Sequence, residues 1–455
     1  MSGTESDAVQ ALREVEEELD TRWQESTIAP SLDRISVLAD LLGSPQHAYP
    51  VLHVGGTNGK SSTVRMIDAL LGRIGLRTGR FTSPHLQTVT ERIALDGAPI
   101  SPERYVEVYR DIEPYISMVD GQGEIRMTKF EVLAGMAFAA FADAPVEAAV
   151  IEVGLGGGWD ATNVVDGRVS VVTPIALDHV EYLGSDILGI ANEKAGIIKP
   201  GSTAVLAAQS PEVTRVLLER CIEVDASVAR ENEEFGVLDR TVAVGGQLLR
   251  LQGLGGVYED VFLPLHGAHQ ARNAAIALAS VEAFFGAGRE RMLDIDVIRE
   301  GFAEVRSPGR LEPVRAAPTV LVDAAHNPHG AAALRAAITS EFAFDRLVAV
   351  VSVLGDKDAA GILTELGAVA DHLVITQNTS PRALPAETLG EMAIALFGEA
   401  KVTVKPALGE ALETAMRMSG ETDDPDEPAA GRGVVVTGSV ITAGEARHFF
   451  GKEPG

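Results

Sequence analysis

Runs of continuously apolar residues alternate with amphipathic stretches along most of the chain. The first run lies at 50–54, and similar short runs follow at 78–83, 147–154, 169–174 and 203–208. Strands that are buried on both faces are apolar throughout, whereas the helices that cover them are apolar on one side only. The pattern therefore predicts a parallel sheet with helices on both faces.

The pattern changes at two places. At about 228–265 the strands are short and broken by glycine, which predicts a small antiparallel appendage, and an alanine-rich helix follows at 268–285. Proline and glycine interrupt the periodicity at 307–314. Apolar strands then return at 319–327, 346–354, 372–378, 401–406 and 433–439. We predict an α/β protein with an N-terminal P-loop NTPase-like parallel-sheet domain (1–308), which carries the appendage, and a smaller C-terminal Rossmann-like α/β domain (309–455).

The charge of the chain narrows the choice of partners. Among 455 residues, 38 are Lys or Arg and 65 are Asp or Glu, a formal net charge of −27. Such a surface repels phosphate backbones and anionic lipids, so we expect no nucleic-acid partner and no membrane partner. An anionic ligand would need a locally cationic or metal-filled pocket.

Two further features favour a cytoplasmic protein. Cys221 is the single cysteine, which excludes an intramolecular disulfide and suits a reducing compartment. The acidic start of the chain has no signal-peptide pattern. The longest apolar run, about 132–142, is shorter than the roughly 20 residues that a bilayer requires, so it predicts a buried helix.

The clearest local motif is GGTNGKSS at 55–62, between a predicted strand and a predicted helix. Glycines let backbone N–H groups turn toward phosphate oxygens, and the helix N-terminus adds its positive dipole end. Lys60 can reach the β- and γ-phosphates, and Ser61 or Ser62 can place a hydroxyl on Mg²⁺. The strict P-loop pattern has glycine where this chain has Val54. The motif thus predicts a variant phosphate loop, the alternative being a glycine-rich turn that binds nothing.

Further segments, in the same order, make the chain similar to a known family. The GTNGK form of the loop resembles that of Mur-ligase-like ATP-dependent amide ligases. The other segments are SPHL at 83–86, EVGLGG at 152–157, DATN at 160–163, LDH at 177–179, EKAGI at 193–197, PGR at 308–310 and DAAHNPH at 323–329. Together they resemble bacterial folylpolyglutamate synthase/dihydrofolate synthase over about 27–439.

The resemblance implies an activity and a division of labour. It implies an ATP-dependent ligase that adds L-glutamate to dihydropteroate, to reduced folate (poly)glutamates, or to both, through an acyl phosphate. The domain at 1–308 would bind ATP, the domain at 309–455 would be the glutamate-ligase domain, and the protein would be a monomer. The sequence leaves open which of the two activities is present.

The motif and the resemblance together assign residues to ATP and to two Mg²⁺ sites. The nucleotide set is Thr57, Asn58, Gly59, Lys60, Ser61, Ser62, Asn273, Arg310 and Asp323. The metal set is Ser61, Ser83, Glu152 and His179. Oxygen ligands suit Mg²⁺, whereas histidine is an unusual ligand for it, so His179 rests on the resemblance alone and is otherwise a hydrogen-bonded histidine at a strand end.

The resemblance also implies three catalytic residues, Lys60, Lys194 and His326. In the family the lysine at position 194 is carboxylated to a carbamate, an anionic oxygen donor where an ammonium would be repelled by Mg²⁺. Taken alone, Lys194 would be a surface lysine. His326 would line the side where the incoming amino acid binds.

The remaining assignments concern the substrates. The substrate-binding set is Thr27, Ile28, Ala29, Pro30, Thr128, Lys129, Phe130, Glu131, Trp159, Asp160, Ala161 and Ser439, the last on the amino-acid side. The rings of Phe130 and Trp159 would stack on a flat pterin, or else belong to the core. The family usually has arginine where this chain has Gly158, which leaves the local contacts to an anionic substrate open.

Two rival functions remain. Peptidoglycan Mur ligases carry a sugar-nucleotide domain of about 100 residues ahead of the loop, and only 54 residues precede Gly55, so we expect the folate branch. A P-loop NTPase used as a switch would hydrolyse nucleotide regardless of glutamate and folates.

Overall fold

The computed structural model describes residues 2–23, 30–178, 180–286, 288, 291–420 and 431–455. Four of the predicted site residues, Thr27, Ile28, Ala29 and His179, lie outside these ranges. The acidic tract at 421–428, whose composition predicts a solvated loop, also lies outside them.

An eight-stranded sheet forms the N-terminal part, in the order β4-β3-β2-β5-β1-β6-β7-β8. Its strands are β1 Val51–Gly55, β2 Thr78–Phe81, β3 Ile93–Leu95, β4 Ala98–Pro99, β5 Ala148–Glu152, β6 Gly167–Val172, β7 Thr203–Leu206 and β8 Ser227–Arg230. β3 pairs antiparallel with both β2 and β4 at one edge, and the other neighbours are parallel. Every residue of β1 and β5 is buried, as expected for strands covered on both faces.

Helices cover both faces of this sheet. They are α1 Ser2–Asp20, α2 Asp33–Leu41, α3 Lys60–Ile74, α4 Pro102–Asp120, α5 Lys129–Asp143, α6 Val180–Leu183, α7 Ile187–Ala195, α8 Pro211–Glu223, α9 Ala268–Phe284 and α10 Ile295–Ala303. α3, α9 and α10 share one hydrophobic core, and α1, α2, α4 and α5 share another. The apolar run at 132–142 is the buried part of α5, as predicted. Among the described residues, no helix is both long and apolar enough to cross a bilayer.

The appendage is a three-stranded antiparallel sheet. It consists of β9 Gly236–Ala243, β10 Gly246–Gln252 and β11 Val257–Leu263. Its inward side chains, such as Leu249 and Val261, belong to the core that α9 also enters. The prediction that the appendage begins at about 228 is wrong by one strand, because residues 227–230 pair in parallel with β7 and extend the large sheet.

A six-stranded sheet forms the C-terminal part, in the order β12-β13-β17-β14-β15-β16. Its strands are β12 Glu312–Ala316, β13 Thr319–Val322, β14 Arg346–Val351, β15 His372–Gln377, β16 Val402–Ala407 and β17 Arg432–Thr437. Its helices are α11 Pro328–Glu341, α12 Ala359–Gly367, α13 Ala386–Phe397, α14 Leu408–Gly420 and α15 Val440–Phe449. Only β12 is antiparallel, and it lies partly in the stretch read from sequence as an interruption. The predicted fold class is confirmed, and the domain boundary at 308/309 stays a prediction.

Candidate active site

A cavity of about 1130 Å³ lies between the two sheets, at the carboxyl ends of their parallel strands. Segments that follow β1, β2, β5, β6, β7, β13, β14 and β17 all contribute to its wall. This is the edge at which parallel α/β sheets bind ligands, because loops from several strands converge there. All the predicted site residues within the described ranges line this cavity.

The cavity has the opposite charge balance to the whole chain. Its basic side chains are Arg34, Lys60, Arg92, Lys129, Lys194, Arg272, Arg310, Lys357 and Arg382. Its acidic side chains are Asp20, Glu131, Glu152, Asp160, Asp178 and Asp323. A protein of net charge −27 thus concentrates cations where an anionic ligand would bind.

The phosphate loop joins β1 to α3, and its glycines are required by close contacts. Gly56 has φ of +133°, and a Cβ there would lie 2.0 Å from the Thr173 hydroxyl oxygen. Gly59 has φ of +91°, and a Cβ there would lie 2.7 Å from Oδ1 of Asn273. Lys60 Nζ folds back over the loop and donates to the carbonyls of Gly56 and Thr57, both at 3.2 Å. The first-turn amides of α3 have no partner within the helix, so they are available to phosphate oxygens.

Ser61 and Glu152 meet at the base of this loop. Ser61 Oγ donates to Glu152 Oε1 at 2.9 Å. Glu152 Oε2 is buried and has no hydrogen-bond partner among the described residues. Burial raises the pKa of Glu152, and Lys60 opposes this shift. Ser83, at the end of β2, is also buried beside the cavity.

These oxygens are the donor type that Mg²⁺ prefers, and the orphaned Oε2 is an acceptor that a cation would satisfy. The described residues contain no group of three or more His, Cys, Asp or Glu side chains arranged to hold a metal. A Mg²⁺ ion here would therefore depend on the two serine hydroxyls, the single carboxylate of Glu152, and groups outside the described residues or on the ligand.

Lys194 is buried at the end of α7, so the interpretation as a surface lysine is wrong. Its Nζ donates to the Gly56 carbonyl at 2.9 Å, the same oxygen that Lys60 contacts. Burial is the largest cause that lowers the pKa of Lys194 to about 7, and the charge of Lys60 lowers it further. With this pKa, about half of the Lys194 amine is neutral at pH 7.

Gly157 and Gly158 pack against the end of α7, which carries Lys194. A Cβ on Gly157 would lie 2.5 Å from the Glu193 carbonyl oxygen and 2.9 Å from Cα of Lys194. A Cβ on Gly158 would lie 3.2 Å from Oε1 of Glu193 and 3.7 Å from the Glu193 carbonyl oxygen. The same Oε1 accepts from the backbone N–H of Trp159 at 3.1 Å. Among the described residues, the side chain nearest to a Cβ at position 158 is thus an acid, Glu193.

The predicted substrate segment at 128–131 begins α5 with a capping box. Thr128 Oγ1 accepts from the Glu131 N–H at 3.2 Å, and the Thr128 N–H donates to Glu131 Oε2 at 2.7 Å. Arg34 holds the same carboxylate at 3.0–3.1 Å. Lys129 pairs with Asp20 at 2.5 Å. The T-x-x-E spacing was the sequence signal for this cap, and these polar groups are engaged in holding the segment in place.

Two aromatic rings pack closely against glycine backbone near this segment. A Cβ on Gly154 would lie 2.4 Å from Phe130 Cζ, and a Cβ on Gly156 would lie 2.8 Å from Trp159 Cζ2. Both rings are half-buried and line the cavity, and Phe130 also packs on Phe81 with ring centroids 5.8 Å apart. Ala161 is buried directly beside them in sequence.

Asp160 is buried and holds its own loop. Its carboxylate accepts from Leu155 N–H at 2.8 Å and from the Thr162 N–H and hydroxyl at 2.9 and 2.5 Å. Burial raises the pKa of Asp160, and these hydrogen bonds oppose the shift. His53, on β1, contacts the Thr162 hydroxyl at 2.9 Å from below.

The C-terminal side supplies side chains from the ends of β13 and β17. Asp323 accepts from the N–H groups of Leu311 and Ala325, both at 2.8 Å, which orients the linker that carries Arg310. His326 Nδ1 contacts the Ala324 carbonyl at 2.9 Å, and its Nε2 lies 3.6 Å from Asp178 Oδ2.

Ser439 and Asn273 are both buried. Ser439 accepts from the Ile441 N–H at 3.1 Å and begins α15. Asn273, on α9, donates to Gln270 at 3.1 Å and lies against Gly59.

Sequence reasoning missed three residues that the structure brings into the cavity region. Asp178 accepts from Lys357 Nζ at 2.7 Å and from Asn327 Nδ2 at 2.9 Å. Asp178 and Asn327 lie inside the motifs LDH and DAAHNPH, which were a signal for them. Lys357 lies in the turn between β14 and α12, where no local pattern distinguishes it from a solvated lysine.

Comparison with known proteins places these features in a family. Residues 54–281 match the Mur ligase middle domain, and residues 309–440 match the Mur ligase, glutamate ligase domain. Dihydrofolate synthase/folylpolyglutamate synthase from Mycobacterium tuberculosis is 56% identical over 98% of this chain and 96% of its own length. The protein of that name from Bacillus subtilis is 34% identical over 80% of this chain and 84% of its own.

Solved structures agree with this placement. The structure of Mycobacterium tuberculosis folylpolyglutamate synthase complexed with ADP and AMPPCP superposes with a TM-score of 0.93 at 56% identity, covering 98% of this chain and 100% of that one. The chain thus belongs to the Mur ligases, in the dihydrofolate synthase/folylpolyglutamate synthase family.

Proposed function

We propose that this chain is an ATP-dependent ligase of folate metabolism that joins L-glutamate to dihydropteroate, to a reduced folate (poly)glutamate, or to both. The observation that carries the proposal is the shared cavity. The glycine-rich loop, the half-buried rings of Phe130 and Trp159 and the strand ends of the second sheet line one volume of about 1130 Å³. ATP, the pterin acid and L-glutamate must meet in this reaction. The loop would bind ATP, the rings would bind the pterin, and the strand ends of the second sheet would bind glutamate.

ATP would bind with its phosphates on the loop. The first-turn amides of α3 and the Lys60 ammonium would face the phosphate oxygens. Lys60 would then donate to phosphate instead of to the two loop carbonyls that it contacts now. Asn273, Arg310 and Asp323 line the same cavity and would contact the nucleotide. Burial lowers the pKa of Lys60, while Glu152 and Asp178 favour its charged form.

Ser61, Ser83 and Glu152 would hold Mg²⁺, and we propose two sites that include His179. Bound there, Mg²⁺ supplies positive charge against the phosphate oxygens. Lys194 is suited to carboxylation because a carbamate forms from a neutral amine and the pKa of Lys194 is lowered to about 7. The Nζ of Lys194 attacks CO₂, a C–N bond forms, and the amine proton leaves. The product is an anion beside Lys60, which replaces cation–cation repulsion with attraction.

The substrate carboxylate would attack the γ-phosphorus, and ADP leaves. The resulting acyl phosphate is attacked by the amine of L-glutamate, an amide bond forms, and inorganic phosphate leaves. The amine must first lose a proton. His326 donates its Nδ1 proton to the Ala324 carbonyl, so in the neutral ring Nε2 is the acceptor, and this atom lies 3.6 Å from Asp178 Oδ2.

The pterin would stack on the rings of Phe130 and Trp159. Pro30, Thr128 and Ala161 complete that side of the cavity, and Ser439 lies on the glutamate side. The monomeric state and the cytoplasmic location stay predictions.

A phosphate-release assay tests the proposal and separates the rivals. Purified protein with ATP, Mg²⁺ and glutamate is given dihydropteroate, a reduced folate monoglutamate or a UDP-muramyl substrate. We expect release with one or both pterin acids and none with the muramyl compound. Release that is indifferent to every acceptor would support a nucleotide switch and contradict the proposal.

A further inference from the structure

A chain of amide and carboxylate groups joins the phosphate loop to the C-terminal sheet. Asn327, at the end of the DAAHN segment, is only 3% exposed. Its Nδ2 donates to Asn58 Oδ1 at 3.2 Å and to Asp178 Oδ2 at 2.9 Å. Its Oδ1 accepts from Gly330 N–H at 2.8 Å and from Asn58 Nδ2 at 3.4 Å. One side chain therefore uses its full hydrogen-bonding capacity across three segments.

The partners of Asn327 belong to both halves of the cavity. Asn58 is part of the phosphate loop, Asp178 follows β6 of the large sheet, and Gly330 is in the first turn of α11. His329 strengthens the same junction, since its Nδ1 accepts from Asn58 Nδ2 at 2.9 Å. Burial lowers the pKa of His329, which favours the neutral ring that this contact requires.

The position of this junction has a chemical consequence. Asp178 also contacts Lys357 from the C-terminal sheet and faces the ring of His326. If the distance between the phosphate loop and α11 changed, the groups that face the acyl phosphate would therefore move relative to the groups that face the amine.

We propose that Asn327 is a positioning residue that couples the phosphate loop to the glutamate side, so that the acyl phosphate forms only where glutamate, and not water, reaches it. The proposal rests on the proposed function. When the coupling fails, water adds to the acyl carbon, the bond to the phosphate oxygen breaks, and the original acid and inorganic phosphate are released. ATP is then consumed without an amide product.

Two substitutions test this without removing the helix cap. Serine and aspartate are both good N-cap residues, so Asn327→Ser and Asn327→Asp keep an acceptor for the Gly330 N–H. The serine is too short to bridge to Asn58 and Asp178. The aspartate cannot donate to either and places a second carboxylate beside Asp178. We expect the aspartate variant to be the more strongly affected.

A matched control breaks another contact between the two halves, away from the cavity. Glu341, at the end of α11, pairs with Arg240 of β9 and accepts from His266 Nδ1 at 3.1 Å and from Gly267 N–H at 2.8 Å. Glu341→Gln keeps the size of this side chain and removes its charge. A general loosening of the interface would affect this variant too.

The readout is the amount of phosphate released per glutamylated product, with the KM for glutamate and the melting temperature alongside. For the wild type we expect a ratio of one. For Asn327→Ser and Asn327→Asp we expect the ratio to rise about twofold or more, with a raised KM for glutamate. Glu341→Gln should keep a ratio of one.

A ratio of one in both Asn327 variants would overturn the inference, as would an equal rise in Glu341→Gln. The melting temperature identifies a variant that fails to fold, and the other Asn327 variant then decides. A wild type that releases no substrate-dependent phosphate would refute the proposed function instead, so the two failures are distinguishable.

Discussion

The two sheets contribute to the cavity in different ways. The large sheet contributes a contiguous loop, 55–62, whose backbone and Lys60 face one ligand group. The C-terminal sheet contributes isolated side chains from separate strand ends, among them His326, Lys357 and Ser439. The first arrangement suits phosphate, which backbone amides and one lysine can bind, and the second suits an amino acid with several distinct groups.

This difference predicts that variants of the two halves fail in different ways. A change in the loop should prevent phosphoryl transfer altogether. A change at the C-terminal strand ends should permit phosphoryl transfer and impair the use of glutamate. The comparison of ADP formation with amide formation therefore tests the division directly.

The largest effect is expected for Lys60→Met. The variant loses the cation that faces the transferred phosphoryl group, and we expect both ADP and amide formation to fall by about 10³-fold. Rapid-quench or steady-state assays of both products measure this, with the melting temperature as a control for folding. If amide formation fell while ADP formation persisted, Lys60 would not be needed for phosphoryl transfer, which would contradict this prediction.

His326→Gln should lower amide formation by about 10²-fold, because the acceptor for the amine proton is lost. ADP formation should fall less, since the loop is intact. The two rates are measured in the same reaction mixture. Equal losses in both would show that His326 acts before the amine attacks.

Lys194→Ala should lower activity about 10–100-fold, and added acetate or formate should restore part of it. ¹³CO₂ labelling gives a readout independent of activity. The pKa of Lys194 is lowered to about 7, so the neutral amine, and with it the carbamate signal, should increase as the pH rises from about 6 to about 8. Unchanged activity in the alanine variant, or a signal that persists in it, contradicts the assignment.

The smallest effects are expected for alanine substitutions at the neighbouring glycines 157 and 158, which form a matched pair. Gly157→Ala places a methyl group 2.5 Å from the Glu193 carbonyl and must displace the end of α7 that carries Lys194. We expect about tenfold lower activity and a weaker carbamate signal. Gly158→Ala meets a side-chain oxygen of Glu193 at 3.2 Å and no backbone atom closer than 3.7 Å, so its activity should stay within about twofold and its stability within about 0.5 kcal/mol of the wild type. Equal effects would mean that this packing does not position Lys194.

Much of the fold was readable because apolar strands and a glycine-rich loop have strong local signatures. The two sheets, the appendage and the loop at 55–62 all follow from such patterns. The edge strands β3, β4 and β12 were missed, because two- to five-residue antiparallel strands leave no periodicity to detect. Residues 227–230 were misplaced because only pairing with β7, and not local sequence, decides to which sheet a strand belongs.

The sequence predicts the site residues that lie in a motif. It does not predict those that only tertiary contacts bring into the site. Lys194 looks like a surface residue in sequence, and only the packing of Gly157 against α7 shows why it is buried. Lys357 is distant in sequence from Asp178, its partner at 2.7 Å. Contacts of this kind depend on how two sheets meet, which no local pattern encodes.

The most direct measurement is ADP formation by the purified protein in an omission series. Complete mixtures contain ATP, Mg²⁺, L-glutamate and a pterin acid, and single components are withheld in turn. We expect ADP formation that requires the pterin acid and yields one amide bond for each ATP consumed when glutamate is present. ATP turnover at the same rate with and without pterin acid and glutamate would contradict the assignment of this cavity as a ligase site.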